Sequence, residues 1–162
     1  MIVDVSTGIT IRRPRRDVAG YAARPDNAPS WYVNIESVRW LTTPPLSEGA
    51  RILFAARFLG RRLEYVYEVV DYIQGERLVM RTAEGPFPME TSYLWHDTPR
   101  GDTRMTLRNR GAPGGWAKLG IPLIGVAMRM QNRRDLMRLK TILEQGIRTD
   151  EFVRAAQAAR AG

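Results

Sequence analysis

Three tyrosines and one asparagine are the side chains whose types and spacing favour chemistry on a small molecule. Tyr65, Tyr67 and Tyr93 lie at alternating positions of strand-like segments, so their phenols are predicted to share one face of a sheet. A buried phenol either packs in the core or orients and protonates a bound carbonyl compound. Asn132 interrupts an apolar helical stripe, where its amide needs a hydrogen-bond partner in the core or on a ligand. Tyr67, Tyr93 and Asn132 are therefore the candidate catalytic residues.

Most other catalytic chemistries lack the side chains that they need. The chain has no cysteine and one histidine, which excludes thiolate nucleophiles, cysteine-based metal sites and sites with several histidines. That histidine, His96, is predicted on the outer face of the sheet opposite Arg104, and the glutamates at 64, 68 and 90 also point outward. The sequence contains no cluster of metal-ligating residues and no glycine-rich phosphate-binding loop. We therefore expect neither a metal nor a cofactor.

Composition predicts one globular domain. The 162 residues are 44% hydrophobic and 26% charged, within the range of ordinary folded domains. We assign residues 1–148 to this domain and residues 149–162 to a C-terminal tail or short extra helix. The longest apolar stretch is too short to span a membrane, and the first residues do not resemble a signal peptide. A soluble cytoplasmic protein is expected, as a monomer or a homodimer.

The net charge of +8 raises a separate hypothesis, that the protein binds nucleic acid or another protein. Arginine outnumbers lysine 23 to 2, a bias that fits phosphate contacts but also a GC-rich coding sequence. The arginines are spread along the chain with acids between them and form no single basic tract. Net charge favours non-specific attraction rather than a particular function. Nucleic acid is therefore not expected as the main partner, and a protein- or RNA-interaction module remains the third alternative.

The segment between residues 49 and 110 is predicted to form a meander of antiparallel strands. One register places Phe54 opposite Tyr67 and Met80 opposite Tyr93, with Trp95 beside Met105. In that register Arg57 faces Glu64 on the other side of the sheet. A strand over residues 3–11, two short helical segments ending near Trp31 and a strand over 35–41 precede the meander. The result is a sheet with one aromatic face and one charged face.

A long C-terminal helix is predicted to cross the aromatic face. It begins near Pro122, repeats apolar residues at three-and-four spacing and ends at Gly146. Five strands make a face about 20 to 25 Å wide, whereas one helix covers about 10 to 12 Å. The uncovered area predicts an internal cavity. Its expected ligand-binding residues are Phe54, Phe58, Tyr65, Tyr67, Met80, Thr82, Thr91, Tyr93, Trp95, Met105, Leu107, Met128, Asn132 and Leu136, and Trp31 and Trp116 are expected to wall or gate it.

Several short motifs occur in an order that resembles one superfamily. They are Ile9-x-Ile11-x-x-Pro14, Gly60-Arg61-Arg62-Leu63-x-Tyr65, Gly85-Pro86-Phe87-Pro88, Gly101-Asp102-Thr103-Arg104-Met105 and Asn132-x-x-Asp135-Leu136. Over residues 3–145 the chain is similar to the SRPBCC superfamily, in its polyketide cyclase/dehydrase-like branch. The resemblance implies the α+β helix-grip fold, a curved antiparallel sheet wrapped around a long C-terminal helix with a hydrophobic cavity.

Three functions are compatible with that resemblance. The first is binding of a small hydrophobic molecule, such as a lipid, polyketide or aromatic metabolite, in the cavity. The second is a cofactor-independent cyclase/aromatase or dehydratase-like enzyme that acts on a bound substrate. The third is the interaction module already mentioned. Superfamily membership by itself does not choose among them, because one fold carries many activities.

Overall fold

The structure is a computed structural model that describes residues 2–58, 60–112, 114 and 120–160. Its strands are β1 (Val3–Ile11), β2 (Ile35–Trp40), β3 (Arg51–Phe58), β4 (Arg61–Ile73), β5 (Arg77–Glu84), β6 (Met89–Asp97) and β7 (Thr103–Gly111). Its helices are α1 (Arg15–Ala22), α2 (Ala28–Trp31) and α3 (Ile121–Arg160), with a short 3-10 turn at Pro25–Asn27. The order of elements is the one that the sequence predicts.

The seven strands form one curved antiparallel sheet in the order β1-β7-β6-β5-β4-β3-β2. Strand β1 therefore pairs with the last strand of the meander, and β2 closes the opposite edge beside β3. Helix α3 lies on the inner face and packs closely on β1. Alternation of apolar and polar side chains along each strand puts the aromatic residues on this inner face. The helix-grip fold predicted from the sequence is confirmed.

The predicted strand register is wrong in three hairpins and right in one. Phe54 pairs with Tyr65 rather than Tyr67, and the β5–β6 pairing is likewise shifted by two residues. The β4–β5 pairing is shifted by two from Tyr67 to Val69 and by three beyond the bulges on either side. The β6–β7 register is as predicted, with Trp95 opposite Met105. Side-chain direction repeats every two residues, so a shift of two leaves a residue on its predicted face, and only the bulged ends of β4 depart from the prediction. The tight β3–β4 turn, in which Gly60 has a φ of 78°, sets the true register.

The outer face of the sheet carries paired charges. Arg57 lies opposite Arg62, not Glu64 as predicted, and both arginines bond to Glu36 on the neighbouring strand β2. Further pairs on or beside this face are Arg51–Glu68, Arg77–Asp71, Arg81–Glu90 and Arg108–Asp4. Many arginines of the sheet are thus neutralised locally, although exposed pairs of this kind add little stability.

The two short helices fill one half of the inner face. Val18 of α1 and Trp31 of α2 are fully buried against the sheet, where they meet Leu139 of α3. A second, smaller cluster joins Val3, Val5 and Ile124, with Met128 packed against it. The space between these two clusters is where the inner face lacks a covering side chain.

Polar contacts fix α3 against the start of the chain. The Lys140 ammonium donates to the carbonyl oxygen of Thr10 at 2.8 Å and to Glu144 at 2.6 Å, and Glu144 accepts the Arg12 backbone N–H at 2.9 Å. The helix does not end at Gly146 as predicted but continues to Arg160. A glycine inside a helix costs only about 1 kcal/mol relative to alanine, and no proline follows it. Among the described residues, no helix is long and apolar enough to cross a membrane.

Candidate functional site

A cavity of about 150 Å³ lies between the inner face of the sheet and α3. Strands β3 to β7 supply its floor and walls, and α3 covers it with Ile124, Met128 and Asn132. Arg57 and Pro86 line it and are exposed, so the opening lies near the β3–β4 hairpin and the turn at residues 85–88. The cavity therefore has an open end near these turns and a closed end under the helix.

The structure brings ten of the fourteen predicted ligand-binding residues to this cavity. They are Phe54, Phe58, Tyr65, Tyr67, Met80, Thr82, Thr91, Tyr93, Met128 and Asn132. The candidate catalytic residues Tyr67, Tyr93 and Asn132 are all among them. Their position on the cavity wall is a fact of the structure, whereas their binding of a ligand remains a prediction.

The other four predicted residues do not line the cavity. Trp95, Met105, Leu107 and Leu136 are at most 1% exposed and belong to the packed core. Trp31 is also in that core, with its ring centroid 5.8 Å from that of Tyr93, so it does not wall the cavity. The physical reason is that these side chains pack with residues of α1 and α2 in one core cluster, which leaves no space there. Trp116, the other predicted gate, lies outside the described residues.

Three aromatic rings form one wall of the cavity. Phe54 and Tyr65 are stacked with ring centroids 5.6 Å apart and planes 15° from parallel. Tyr67 meets both rings edge to face, at 5.7 Å from Phe54 and 4.9 Å from Tyr65. Offset-stacked and edge-to-face pairs are the favourable aromatic arrangements. The three rings therefore support one another and offer a largely apolar surface, in which Tyr67 stands at a steep angle to the stacked pair.

A chain of buried hydrogen bonds connects the sheet to the helix. The Tyr67 hydroxyl lies 2.7 Å from the Thr91 hydroxyl, which donates to Asn109 Oδ1 at 2.7 Å. Asn109 Nδ2 in turn donates to Asn132 Oδ1 at 2.9 Å. All four residues line the cavity. Of the two partners that the sequence left open for Asn132, a core side chain takes its oxygen, while its Nδ2 is buried without a partner.

Asp135 is the buried carboxylate at the closed end of the cavity. It is 1% exposed, and its Oδ1 accepts the Val33 backbone N–H and the Gln131 side-chain amide, each at 2.9 Å. Burial raises the pKa of Asp135 to about 6, although these two hydrogen bonds oppose the shift. The contact with Val33 also ties the loop after α2 to helix α3. A carboxyl group with such a pKa can exchange a proton near neutral pH.

The tyrosines of the cavity are neutral phenols. Burial is the first cause that raises the pKa of Tyr32, Tyr65 and Tyr93, and the nearby Asp135 carboxylate adds to it. Burial likewise raises the pKa of Tyr67 to about 12. The hydroxyls of Tyr32 and Tyr93 lie 2.5 Å apart. At neutral pH these groups can donate hydrogen bonds but cannot act as phenolate bases.

Sequence reasoning missed Asp135 and Tyr32 as site residues. Asp135 is the only acid in residues 121–143 and lies three positions after Asn132, one turn along the same helix face. That spacing is a signal that was available. Tyr32 follows the short helix α2, and only the tertiary fold brings its hydroxyl to Tyr93. Asn109, which the predicted β6–β7 register aligned with Thr91, is indeed bonded to it.

The residues expected outside the site are outside it. His96 is exposed and pairs with Arg104 across the outer face of β6 and β7. Within the described part of the chain, no group of three or more His, Cys, Asp or Glu side chains is placed to hold a metal ion.

The architecture defines the class of protein, a helix-grip domain with an internal cavity, and known structures share it. The Zhui aromatase/cyclase from a Streptomyces species superposes with a TM-score of 0.76 at 13% identity, over 91% of this chain and 96% of that one. A START superfamily protein from Mycobacterium smegmatis gives 0.73 at 12% identity, over 88% and 97%. TTHA0849 from Thermus thermophilus gives 0.75 at 16% identity, over 88% and 98%. At such identities the likeness establishes the fold alone.

The family follows from the sequence itself. Residues 3–144 match the family described as polyketide cyclase / dehydrase and lipid transport, and the chain belongs to that family. No curated protein matches the chain. The resemblance to the SRPBCC superfamily and its polyketide cyclase-like branch is thereby confirmed.

Proposed function

We propose that this protein binds one small, largely apolar molecule in the cavity under α3. The observation that carries the proposal is a cavity, open at one end, with an aromatic wall on one side and a few hydrogen-bonded polar groups on another. Ligand sites in proteins commonly combine these two features. The family to which the chain belongs, with its hydrophobic-ligand chemistry, supports the proposal. We further propose that this binding occurs in the cytoplasm.

The size of the cavity limits the ligand. A closed cavity of about 150 Å³ is large enough for a single aromatic ring such as benzene, and the cavity here has that volume. A longer guest must extend through the opening beside Arg57 and Pro86. The ligand is therefore either a single ring with small substituents or a larger molecule with one ring bound inside.

Blocking the cavity tests this proposal. Met128 lines the cavity, whereas Met137 lies 49% exposed on the outer side of the same helix. We expect Met128→Trp to weaken binding of fluorobenzene by at least about tenfold, because the indole occupies the space that the probe needs. Met137→Trp should bind fluorobenzene like the unchanged protein. Fluorine NMR titration measures both affinities, with circular dichroism as a check of folding.

Two results would contradict binding in this cavity. One is that fluorobenzene and larger apolar probes all fail to bind the folded, unchanged protein. The other is that Met128→Trp and Met137→Trp bind the probe equally well, which would locate the probe elsewhere on the molecule.

A cyclase activity is the second candidate, and Asp135 favours it. In an intramolecular aldol reaction a base removes a proton from the carbon beside one carbonyl group, and the resulting enolate attacks a second carbonyl. Asp135 can take that proton, a neutral tyrosine such as Tyr65 can hydrogen-bond the developing oxyanion, and loss of water completes the reaction. The reaction needs no oxidant and no cofactor. Asp135 thereby joins Tyr67, Tyr93 and Asn132 as a candidate catalytic residue.

Heptane-2,6-dione is a probe small enough for this cavity, and its cyclisation gives a conjugated enone and water. If the protein is a cyclase, the rate should rise through a pKa near 6, where Asp135 ionises. Asp135→Asn should lower the rate about 100-fold, a common loss for a general base. Absorbance of the enone measures the rate. An unaccelerated reaction, or a rate unaffected by Asp135→Asn, would favour binding without catalysis.

The interaction-module hypothesis has weaker support. Many sheet arginines are paired with acids, so the surface offers less free positive charge than the net charge suggests. Oligomeric state, either monomer or homodimer, remains a prediction.

A further inference from the structure

As the amide oxygens and nitrogens are placed, the hydrogen bonds among Tyr67, Thr91, Asn109 and Asn132 run in one direction. Asn109 Nδ2 donates to Asn132 Oδ1, and Asn109 Oδ1 accepts from Thr91. Since a hydroxyl carries one hydrogen, Thr91 has no second hydrogen to give and must accept from Tyr67. The hydroxyl hydrogens of Tyr67 and Thr91 are therefore both already donated within this set of hydrogen bonds.

This series of hydrogen bonds ends at Asn132, whose side-chain N–H donor has no acceptor. Asn132 is 4% exposed, its oxygen is occupied by Asn109, and its Nδ2 is one of five buried side-chain atoms of the described residues that have no hydrogen-bond partner. Asn132 lines the cavity between Met128 and Asp135, which lie one turn away on either side along α3. A buried amide donor without an acceptor is destabilising, because it has lost its hydrogen bond to water and gained none in return. A guest that supplies an acceptor recovers this cost, whereas a purely apolar guest does not.

We propose that the cavity selects molecules with a carbonyl oxygen, and that this oxygen accepts a hydrogen bond from Asn132 Nδ2. The apolar remainder of the molecule then lies against the wall of Phe54, Tyr65 and Tyr67. The ligand class is accordingly a ketone, ester or aldehyde attached to one ring. This inference rests on the proposed binding function and assigns the chemistry of the bound group.

A matched pair of probes isolates the carbonyl group. 4-Fluoroacetophenone and 4-fluoro-α-methylstyrene have nearly the same shape and differ in carrying C=O or C=CH₂. Leaving water costs the ketone more than the alkene, because only the C=O group is hydrated, so the change in the affinity ratio of the two probes between variant and unchanged protein reports the Asn132 hydrogen bond. We expect Asn132→Leu, which has nearly the same shape and no donor, to lower the ketone-to-alkene affinity ratio about tenfold, as measured by fluorine NMR titration.

A second measurement tests the carbonyl hydrogen bond in the unchanged protein, without relying on the variant. The infrared carbonyl band of bound acetophenone should lie at lower frequency than in hexane, because hydrogen bonding weakens the C=O bond. In Asn132→Leu the band should return toward its position in hexane. If the Leu variant fails to fold, the position of the band in the unchanged protein still decides the question.

The outcomes separate the two proposals. If neither probe binds, the proposed binding function fails. If the ketone-to-alkene affinity ratio is the same in Asn132→Leu as in the unchanged protein, or if the carbonyl band of bound acetophenone lies where it does in hexane, the carbonyl inference is overturned while binding in the cavity stands. A tenfold fall of the ratio in Asn132→Leu supports both.

Discussion

Asp135→Asn should make the folded protein more stable at pH 7 by up to about 3 kcal/mol. The pKa of this carboxyl is about 6 in the folded chain against 3.8 as its ordinary value, and each unit of difference corresponds to about 1.4 kcal/mol. Between these two values the folded state holds the proton that the unfolded state has already released. The contribution of Asp135 to stability therefore falls as pH rises from about 4 to 6 and stays low above that.

The asparagine variant removes the charge and keeps the main contacts. Its side-chain oxygen can still accept from the Val33 N–H and the Gln131 amide, as Asp135 Oδ1 does. We expect the difference in the free energy of unfolding between variant and unchanged protein to be small near pH 4 and largest above pH 6. Urea denaturation across this pH range measures it, and subtraction of the two curves removes the effects of other titrating groups. A difference independent of pH would show that the Asp135 pKa is not raised.

Met105→Ala should lower the free energy of unfolding by about 2–5 kcal/mol, because it opens a hole in a fully packed core. Met105 is 0% exposed and lies in the half of the sheet covered by α1 and α2. Its distance from the cavity wall means that binding of fluorobenzene at the cavity should not change in the folded variant. Thermal unfolding and the fluorine NMR titration measure the two effects.

Met128→Ala is the matched control for this prediction. Met128 is half-buried and already borders the cavity, so its truncation widens an existing space rather than creating one. We expect a cost below about 1 kcal/mol and a changed affinity for the probe. Equal destabilisation by the two substitutions would contradict the division of the inner face into a packed half and an open half.

The fold could be predicted because its signals are local. Alternation along each strand and the three-and-four spacing on the helix determine which side chains face inward, and these faces survive an error of two residues in register. The motif order then indicates the superfamily. Glycine-containing turns such as the one at Gly60 mark hairpins, but the pattern does not say which residues flank a two-residue turn. This is why the β3–β4 register was wrong.

The sequence predicted which face of the sheet carries the candidate site, but it did not predict where on that face the cavity lies. Fourteen residues of the sheet and the helix were assigned to the cavity, and four of them, Trp95, Met105, Leu107 and Leu136, are packed in the core instead. The comparison of the width of the sheet with the width of one helix showed that one helix cannot cover the sheet. It did not show which half α1 and α2 would cover, because that depends on contacts such as those of Val18 and Trp31 with distant strands.

By itself, the sequence determined the sheet, the helix, the aromatic inner face and the lack of thiol or multi-histidine chemistry, since these follow from residue type and short-range periodicity. The tertiary structure alone decided where the empty space lies and how its polar groups are connected. The bond from Asn109 to Asn132 joins a strand to a helix 23 residues away, and Asp135 meets Val33 across 102 residues. Such contacts depend on how the elements pack, and no local pattern encodes them.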